Sequence, residues 1–128
     1  MAAGSVLIDT STIIDHLRKK NKKKSYLYKI IDKYDLFIST ITLYELFAGA
    51  INEQKRKDIY DFLILAELVP FTGETAERAG SIYLSLRSRN EIIDVIDILI
   101  GAAALTHNLP LITLNKKHFE RIEGLKIL

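Results

Sequence analysis

The segment SVLIDTS, residues 5–11, places three apolar residues directly before an acid and two hydroxyl residues. A short, uninterrupted apolar run is typical of a strand buried on both faces, as in a parallel sheet. The hydroxyl residues are helix-start signals, so the pattern predicts a strand at Val6–Ile8 that leads into a helix. We therefore expect Asp9 at the carboxyl end of a central strand, which is the edge where open α/β sheets bind ligands.

Beyond this segment, apolar strand patterns alternate with helical patterns along the chain. Pro70 lies in one of the predicted strands, which favours an edge position for that strand. The alternation predicts an α/β fold, a three-layer α/β/α domain with a mainly parallel central sheet of about five strands. Strands are predicted at 6–8, 36–39, 68–71, 111–113 and 126–128, and helices at 12–18, 25–33, 42–50, 53–66, 74–89, 95–107 and 116–120.

Length and composition predict a single globular domain over residues 1–128. The chain is 48% hydrophobic and has no cysteine. These values exclude a disordered chain, a disulfide framework, a thiolate metal site and a cysteine nucleophile. No apolar run approaches the ~20 residues that span a bilayer, and no basic segment precedes the first apolar run as in a signal peptide. We expect a cytoplasmic protein that does not contact a membrane.

Four acids stand where a parallel sheet would gather them. Asp9, Glu45 and Asp97 each lie just past an apolar strand or near the start of a helix, and Asp94 precedes Asp97 by three residues. Hard cations such as Mg²⁺ and Mn²⁺ prefer oxygen ligands, so several carboxylates without cysteine favour these ions over Zn²⁺. Such ions lower the pKa of bound water and neutralise charge on a phosphodiester. The pattern indicates a metal-dependent site for phosphodiester chemistry.

A purely structural role explains the same acids, and spacing alone leaves both interpretations open. Glu45 fits the partner position of a capping box that begins at Thr42. Asp94 and Asp97 fit the N-cap and the first turn of their helix, where acids are favoured. Asp9 could cap the helix that follows it. The strand-end position of Asp9, combined with the later acids, is what caps do not explain.

Four longer segments carry a family resemblance that covers nearly the whole chain. They are VLIDTSTIID at 6–15, ISTITLYELFAGA at 38–50, VPFTGETAERAGSIYLSLR at 69–87 and IDILIGAAALTHNLPLITLNKKHFERIEGLKIL at 96–128. In this order they resemble the PIN-domain ribonucleases, and among them the VapC toxins of toxin–antitoxin pairs. The resemblance implies a PIN-like fold and an Mg²⁺- or Mn²⁺-dependent endoribonuclease. It also implies Asp9, Glu45 and Asp97 as the three carboxylates that bind the metal and carry catalysis.

The chain departs from the family pattern beside this site. The resemblance places the fourth polar position on Asn115, which brings no charge and suits a water-mediated or phosphate contact. His118 stands where many relatives have Asp. Asp94 matches a variable position and is a secondary candidate, and Thr10 and Thr113 flank the acids as turn or cap hydroxyls or as secondary site residues.

An acidic cleft that takes RNA needs basic residues at its rim, because the substrate itself carries negative charge. Net charge is only +2, but lysine and arginine are concentrated in two places. Lys116, Lys117 and Arg121 are the candidates for contacts to the RNA backbone, and the run Lys19–Lys24 is a weaker one. The family resemblance further implies a homodimer and a small VapB-type antitoxin that covers the site.

Other classes of protein share parts of this pattern. A phospho-receiver domain would need a further acidic pair near Asp9, and a haloacid-type phosphatase would need an acid at position 11, which is Ser11. A catalytically silent PIN-like module that binds RNA or a partner stays open, because Asn115 and His118 reduce the acidic set. A nuclease assay with and without a chelator separates these possibilities.

Overall fold

A computed structural model describes residues 4–128 of the chain. Its strands and helices alternate, and a short 3₁₀ turn occupies part of the lysine run. The strands are β1 (Ser5–Ile8), β2 (Asp35–Ser39), β3 (Ala66–Val69) and β4 (Leu111–Ile112). The helices are α1 (Thr10–Arg18), α2 (Tyr26–Ile30), α3 (Thr40–Ala48), α4 (Glu53–Leu63), α5 (Gly73–Ser88), α6 (Val95–Thr106) and α7 (Lys116–Phe119), and the 3₁₀ turn is Lys22–Lys24.

The four strands form one sheet in the order β3-β2-β1-β4, and every pairing is parallel. This arrangement confirms the predicted parallel α/β/α architecture, with β1 in the interior and the third strand at an edge. The fifth strand predicted at 126–128 is reduced to a single bridge between Leu111 and Ile127. Because the strands are parallel, their carboxyl ends meet at one edge of the sheet. Asp9 was predicted to lie at this edge.

Several predicted boundaries are wrong by a few residues. Helix α4 ends at Leu63 rather than residue 66, because the amides of Ile64 and Leu65 bond to carbonyls three residues earlier and turn the chain. Strand β3 then begins at Ala66, opposite Leu36 of β2. It ends before Pro70, which has no N–H to donate to a ladder. Helix α1 begins at residue 10 rather than 12, and α2 ends at residue 30 rather than 33.

The sheet is covered on both faces by separate hydrophobic cores. Leu7 contributes to the core under α5 and α6, whereas Val6 and Ile8 contribute to the core under α1, α2 and α4. Helix α6 packs closely against the segment that follows α7. A Cβ added at Gly101 would lie 2.5 Å from Cδ1 of Ile122. This contact helps to hold in place the helix that carries Asp97.

Helix α5 buries only a narrow stripe of its surface. Thr75, Ala79 and Leu86 are buried, whereas Ala76 and Tyr83 are exposed. The helix lies over α6 at the outside of the domain, so only a narrow stripe of its surface is covered. Thr72 caps the helix, with its hydroxyl accepting from the amide of Thr75 at 3.2 Å. None of the helices described is long and apolar enough to cross a membrane.

Candidate active site

Asp9 lies at the carboxyl end of β1 and is almost fully buried. It occupies the N-cap position of α1, but its side chain makes no capping hydrogen bond. Its Oδ2 instead accepts from the hydroxyls of Ser11 and Thr113, both at 2.7 Å. The cap interpretation of Asp9 is therefore wrong, and Thr113 contacts the acid directly instead of only completing a turn.

Glu45 lies in the middle of α3 and is brought to Asp9 through Thr10. The Thr10 hydroxyl donates to Oε1 of Glu45 at 2.6 Å and lies 3.0 Å from Oγ1 of Thr42. The predicted capping box of Thr42 and Glu45 is wrong. Ser39 caps α3 instead, with its hydroxyl accepting from the amide of Thr42 at 3.1 Å, so the carboxylate of Glu45 is left to face the acids.

Asp97 lies in the first turn of α6 and contacts α7. Its Oδ2 lies 3.1 Å from Nδ1 of His118, and the same ring nitrogen lies 2.8 Å from Nδ2 of Asn115. The backbone amide of Asn115 donates to the Thr113 hydroxyl at 2.9 Å. Because that hydroxyl bonds to Asp9, it connects Asn115 and His118 to Asp9. The two positions where the sequence departs from the family pattern therefore lie together and directly against Asp97.

The electrostatics of these acids show that they share one site. Burial raises the pKa of Glu45, and the charges of Asp9, Asp97 and Asp94 raise it further, against the lowering effect of the Thr10 hydrogen bond. Burial likewise raises the pKa of Asp97, where the hydrogen bond and charge of His118 oppose the charges of Asp9 and Asp94. Like charges that cannot separate are costly when ionised. The ionised cluster is thus destabilising on its own.

We expect Glu45→Gln to be more stable than the parent at pH 8 when no divalent ion is present. A carboxyl whose pKa is raised by folding destabilises the native state once the pH rises from its ordinary value of 4.5 through the raised value. The amide keeps an oxygen for Thr10 and removes the charge. Thermal unfolding across pH measures the difference, which should shrink below pH 4.5. A Glu45→Gln variant that is less stable than the parent at pH 8 would show that the ionised Glu45 does not destabilise the native state.

Asp94 is the exposed N-cap of α6, and its Oδ1 accepts from the amide of Ile96 at 2.9 Å. The capping interpretation is confirmed for this acid. We expect Asp94→Ala to cost about 1 kcal/mol of unfolding free energy, measured by urea titration. Asp94→Asn is the matched control, because it keeps the cap oxygen while it removes the charge, and it should retain most of the stability. Equal losses in the two variants would assign the effect to the charge.

The chemistry of the donor set fits a hard divalent cation. The hydrogen bonds described above engage Oδ2 of Asp9, Oε1 of Glu45 and Oδ2 of Asp97, and within residues 4–128 the second oxygen of each accepts none. No group of three or more His, Asp or Glu side chains in that range already surrounds one point as metal ligands do. The three carboxylates therefore offer oxygens and negative charge, which is the donor chemistry that such an ion prefers.

Sequence reasoning missed Ser11, which the structure places at the centre of this network. Its hydroxyl donates to Asp9 and also accepts from the amide of Leu114 at 3.2 Å, so it ties the loop after β4 to the end of β1. The signal was present in the sequence, since a hydroxyl two residues after an acid at a helix start commonly bonds back to it.

The structure separates Arg121 from Lys116 and Lys117, the other two residues predicted to contact the RNA backbone. Lys116 and Lys117 are exposed at the start of α7, next to Asn115 and beside the acids. Arg121 faces a different cavity beside Arg89, and its Nη1 lies 3.5 Å from the carbonyl oxygens of residues 91 and 92. The lysines remain candidates for contacts to a phosphate at the site. Arg121 is engaged by backbone.

The other two histidines lie apart from the acids. Nδ1 of His16 bonds to the hydroxyl of the buried Ser25 at 2.6 Å, and burial, assisted by the charge of Lys22, lowers its pKa. Burial thus favours the neutral ring of His16, which serves the packing of α1 against α2. His107 is the exposed C-cap residue of α6.

The fold and the acids at the strand ends together indicate the protein family to which the chain belongs. The PIN-domain family model matches residues 6–125, and the chain belongs to that family. Over 125 residues it is 36% identical to Ribonuclease VapC1 of Methanocaldococcus jannaschii, covering 95% of this chain and 85% of that protein. It is also 36% identical to Ribonuclease VapC of Rickettsia bellii over 131 residues, covering 96% and 94% of the two chains.

Solved structures support the same relationship. The crystal structure of VapBC2 from Rickettsia felis, bound to a DNA fragment from its promoter, contains a chain that aligns with a TM-score of 0.84 and 25% identity. The alignment covers 96% of each chain. The fold class and the VapC resemblance predicted from the sequence are confirmed.

Proposed function

We propose that this protein is a metal-dependent endoribonuclease, the toxin of a type II toxin–antitoxin system. The observation that carries the proposal is the group formed by Asp9, Glu45 and Asp97 near the carboxyl edge of the sheet, where hydroxyls hold Asp9 and Glu45 and the His118 ring contacts Asp97. Relatives that match nearly the whole chain are ribonucleases of the VapC group. A cytoplasmic location accompanies the proposal, because the substrate would be cellular RNA.

The three carboxylates would hold Mg²⁺ or Mn²⁺ through the oxygens that accept no hydrogen bond. Such an ion, when bound, lowers the pKa of a water and neutralises charge that develops on the phosphoryl oxygens. The protein's own side chains supply the positioning. Thr113 and Ser11 fix the carboxylate of Asp9, Thr10 fixes Glu45, and His118 fixes Asp97.

Asn115 and Asp94 have supporting roles in this proposal. Asn115 lies against the His118 ring and offers an uncharged amide to a water or to a phosphate oxygen. Asp94 begins the helix that carries Asp97 and adds negative charge to the cluster. Lys116 and Lys117 lie where they can neutralise the phosphates of an RNA strand that enters the acidic cleft.

The test is cleavage of unstructured RNA by the purified protein, with the ends of the products identified. Hydrolysis by water does not use the ribose 2′-hydroxyl as nucleophile, so we expect 5′-phosphate and 3′-hydroxyl ends. Products with 2′,3′-cyclic phosphate ends would overturn the hydrolytic mechanism. Mapping of the cut positions in total cellular RNA would then identify the target.

A small VapB-type antitoxin is the proposed protein partner, and a homodimer is the proposed assembly. The solved structure from Rickettsia felis is described as a VapBC complex. An acidic cleft is blocked most effectively by a peptide that offers a cation to the carboxylates. Co-expression with the small protein encoded next to this one should give a complex that lacks nuclease activity and relieves toxicity. A neighbour that neither co-purifies nor suppresses toxicity would contradict this part of the proposal.

A catalytically silent module that binds RNA or a partner is the second candidate. Asn115 and His118 favour it, because they replace negative charge beside Asp97 with an amide and an imidazole. The two candidates separate in one experiment: a silent module binds RNA and leaves it intact in the presence of Mg²⁺ or Mn²⁺.

A further inference from the structure

A cavity of about 530 Å³ opens directly beside the acids and is not explained by the metal site. Tyr26 lines one side of it, and Leu114, Lys116 and Lys117 line the other, next to Asn115 and His118. Its volume falls within the range of ~300–1,000 Å³ that is common for small-molecule sites. One cavity therefore combines an aromatic ring, an apolar side chain and two cations.

Hydroxyl groups hold both walls of this cavity in place. Ser25 is fully buried and caps α2, with its hydroxyl accepting from the amide of Tyr28 at 3.1 Å and bonded to His16, so Tyr26 is fixed as the first residue of the helix. On the opposite wall, the amide of Leu114 is held by Ser11. A cavity with fixed walls loses little conformational entropy when a ligand binds.

The lining residues match the chemistry of a single nucleotide. Bases of single-stranded RNA are bound by stacking on aromatic side chains, and their phosphates by lysine and arginine. Leu114 leaves 51% of its surface exposed, and Lys116 and Lys117 are also exposed, so apolar and cationic groups are both available to a ligand. Asn115 and His118 connect the cavity to Asp97, which places a bound nucleotide next to the bond that would be cut.

We propose that this cavity binds one nucleotide of a single-stranded RNA, with the base against Tyr26 and Leu114 and the phosphate at Lys116 and Lys117. This inference rests on the proposed function, because it names the substrate contact that flanks the same site. It makes Tyr26 a substrate-binding residue that sets affinity and the positions of cleavage.

The absence of tryptophan from the sequence gives a direct test. Tyr26→Trp creates a single fluorescent reporter in the cavity, and Leu114→Trp places one on the opposite, exposed wall. Tyr28→Trp is the matched control, because Tyr28 lies two residues further along α2, is 45% exposed and does not line the cavity. A short oligouridylate is added in EDTA, where no cleavage is expected, and again with Mg²⁺ in the Asp97→Asn background.

We expect saturable quenching of tryptophan fluorescence in the Tyr26→Trp and Leu114→Trp proteins, and an unchanged signal from the Tyr28→Trp protein. Tyr26→Ala should weaken oligouridylate binding by about 5- to 150-fold, the range found when one stacking residue is removed. Replacing Lys116 and Lys117 with Ala should make the plot of log binding constant against log salt concentration less steep. Its slope should change by about 0.7 for each phosphate contact that is lost. Lys57→Ala is the charge control, because this exposed lysine is paired with Asp61 on α4 and should leave binding unchanged.

The results separate this inference from the proposed function. If the parent protein cleaves RNA while neither cavity reporter responds, the nucleotide site is wrong and the nuclease assignment stands. Quenching without cleavage by the parent would support the site and overturn the nuclease. Equal quenching in the Tyr28→Trp control would show nonspecific binding and overturn the site. A response to the antitoxin but not to RNA would assign the cavity to the protein partner and also overturn it.

Discussion

Asp97→Asn should lower the rate of RNA cleavage by roughly a factor of 100 to 1,000, because a metal and its ligands supply several kcal/mol of charge stabilisation. The amide has the size of the carboxylate and keeps an oxygen for His118, so the first turn of α6 should not change. Its stability without divalent ions should equal or exceed that of the parent, since one buried like charge is removed. Cleavage kinetics and thermal unfolding measure the two effects.

Asp94→Asn is the control for this experiment, because it removes an acid from the same helix while it keeps the cap. We expect it to retain most of the activity. If Asp97→Asn cleaves as fast as the parent, Asp97 is not a metal ligand and the catalytic assignment fails. If both variants lose activity equally, net charge rather than a particular ligand controls the reaction.

Removal of divalent ions should abolish cleavage, and Mg²⁺ or Mn²⁺ should restore it. The same ions should raise the unfolding temperature of the parent protein, because a ligand that binds only the native state stabilises it. The stabilisation should be larger at pH 8 than at pH 5, because Glu45 and Asp97 have raised pKa values and protons compete with the metal at the lower pH. Titration calorimetry and thermal unfolding report binding independently of activity.

The double variant with Asp97→Asn and Glu45→Gln is the control for the metal titration. It keeps the fold and removes two of the three charges, so added Mg²⁺ should leave its unfolding temperature unchanged. Cleavage that persists in excess chelator would contradict metal dependence. A metal-induced shift of equal size in the double variant would place the ion elsewhere on the protein.

The central strand and the acids after it could be predicted from sequence because their signals are local. An uninterrupted apolar run identifies β1, and the residue after it falls at the sheet edge whatever the remaining chain does. The capping role of Asp94 could be predicted equally well, because a cap depends on the amides next to it in the sequence. These predictions needed no knowledge of distant contacts.

The helix start at α3 could not be predicted in this way. Ser39, Thr40 and Thr42 are all candidate caps, and Thr42 with Glu45 has the spacing of a capping box. The choice is made by the end of β2, where Ser39 pairs with Val69 of the edge strand. That pairing joins residues thirty positions apart, which no local pattern contains.

The cavity beside the site was inaccessible to sequence reasoning for the same reason. Tyr26 and Leu114 are far apart in the chain, and they line one cavity only because the fold brings the start of α2 to the loop after β4. Ser11 and Thr113 were visible as hydroxyl residues, but their shared bond to Asp9 depends on β1 and β4 lying side by side. The site is therefore a product of topology.

The bridge between Leu111 and Ile127 has a consequence for solubility. Strand β4 has only two residues, and its outer backbone groups are satisfied by Lys126 and Leu128 at 2.8 and 2.9 Å. An uncovered strand of this kind is a template on which another polypeptide can extend the sheet. Residues 126–128 thus protect against edge-to-edge aggregation, and a chain shortened at residue 125 would expose an unpaired, apolar border beside the loop after β4.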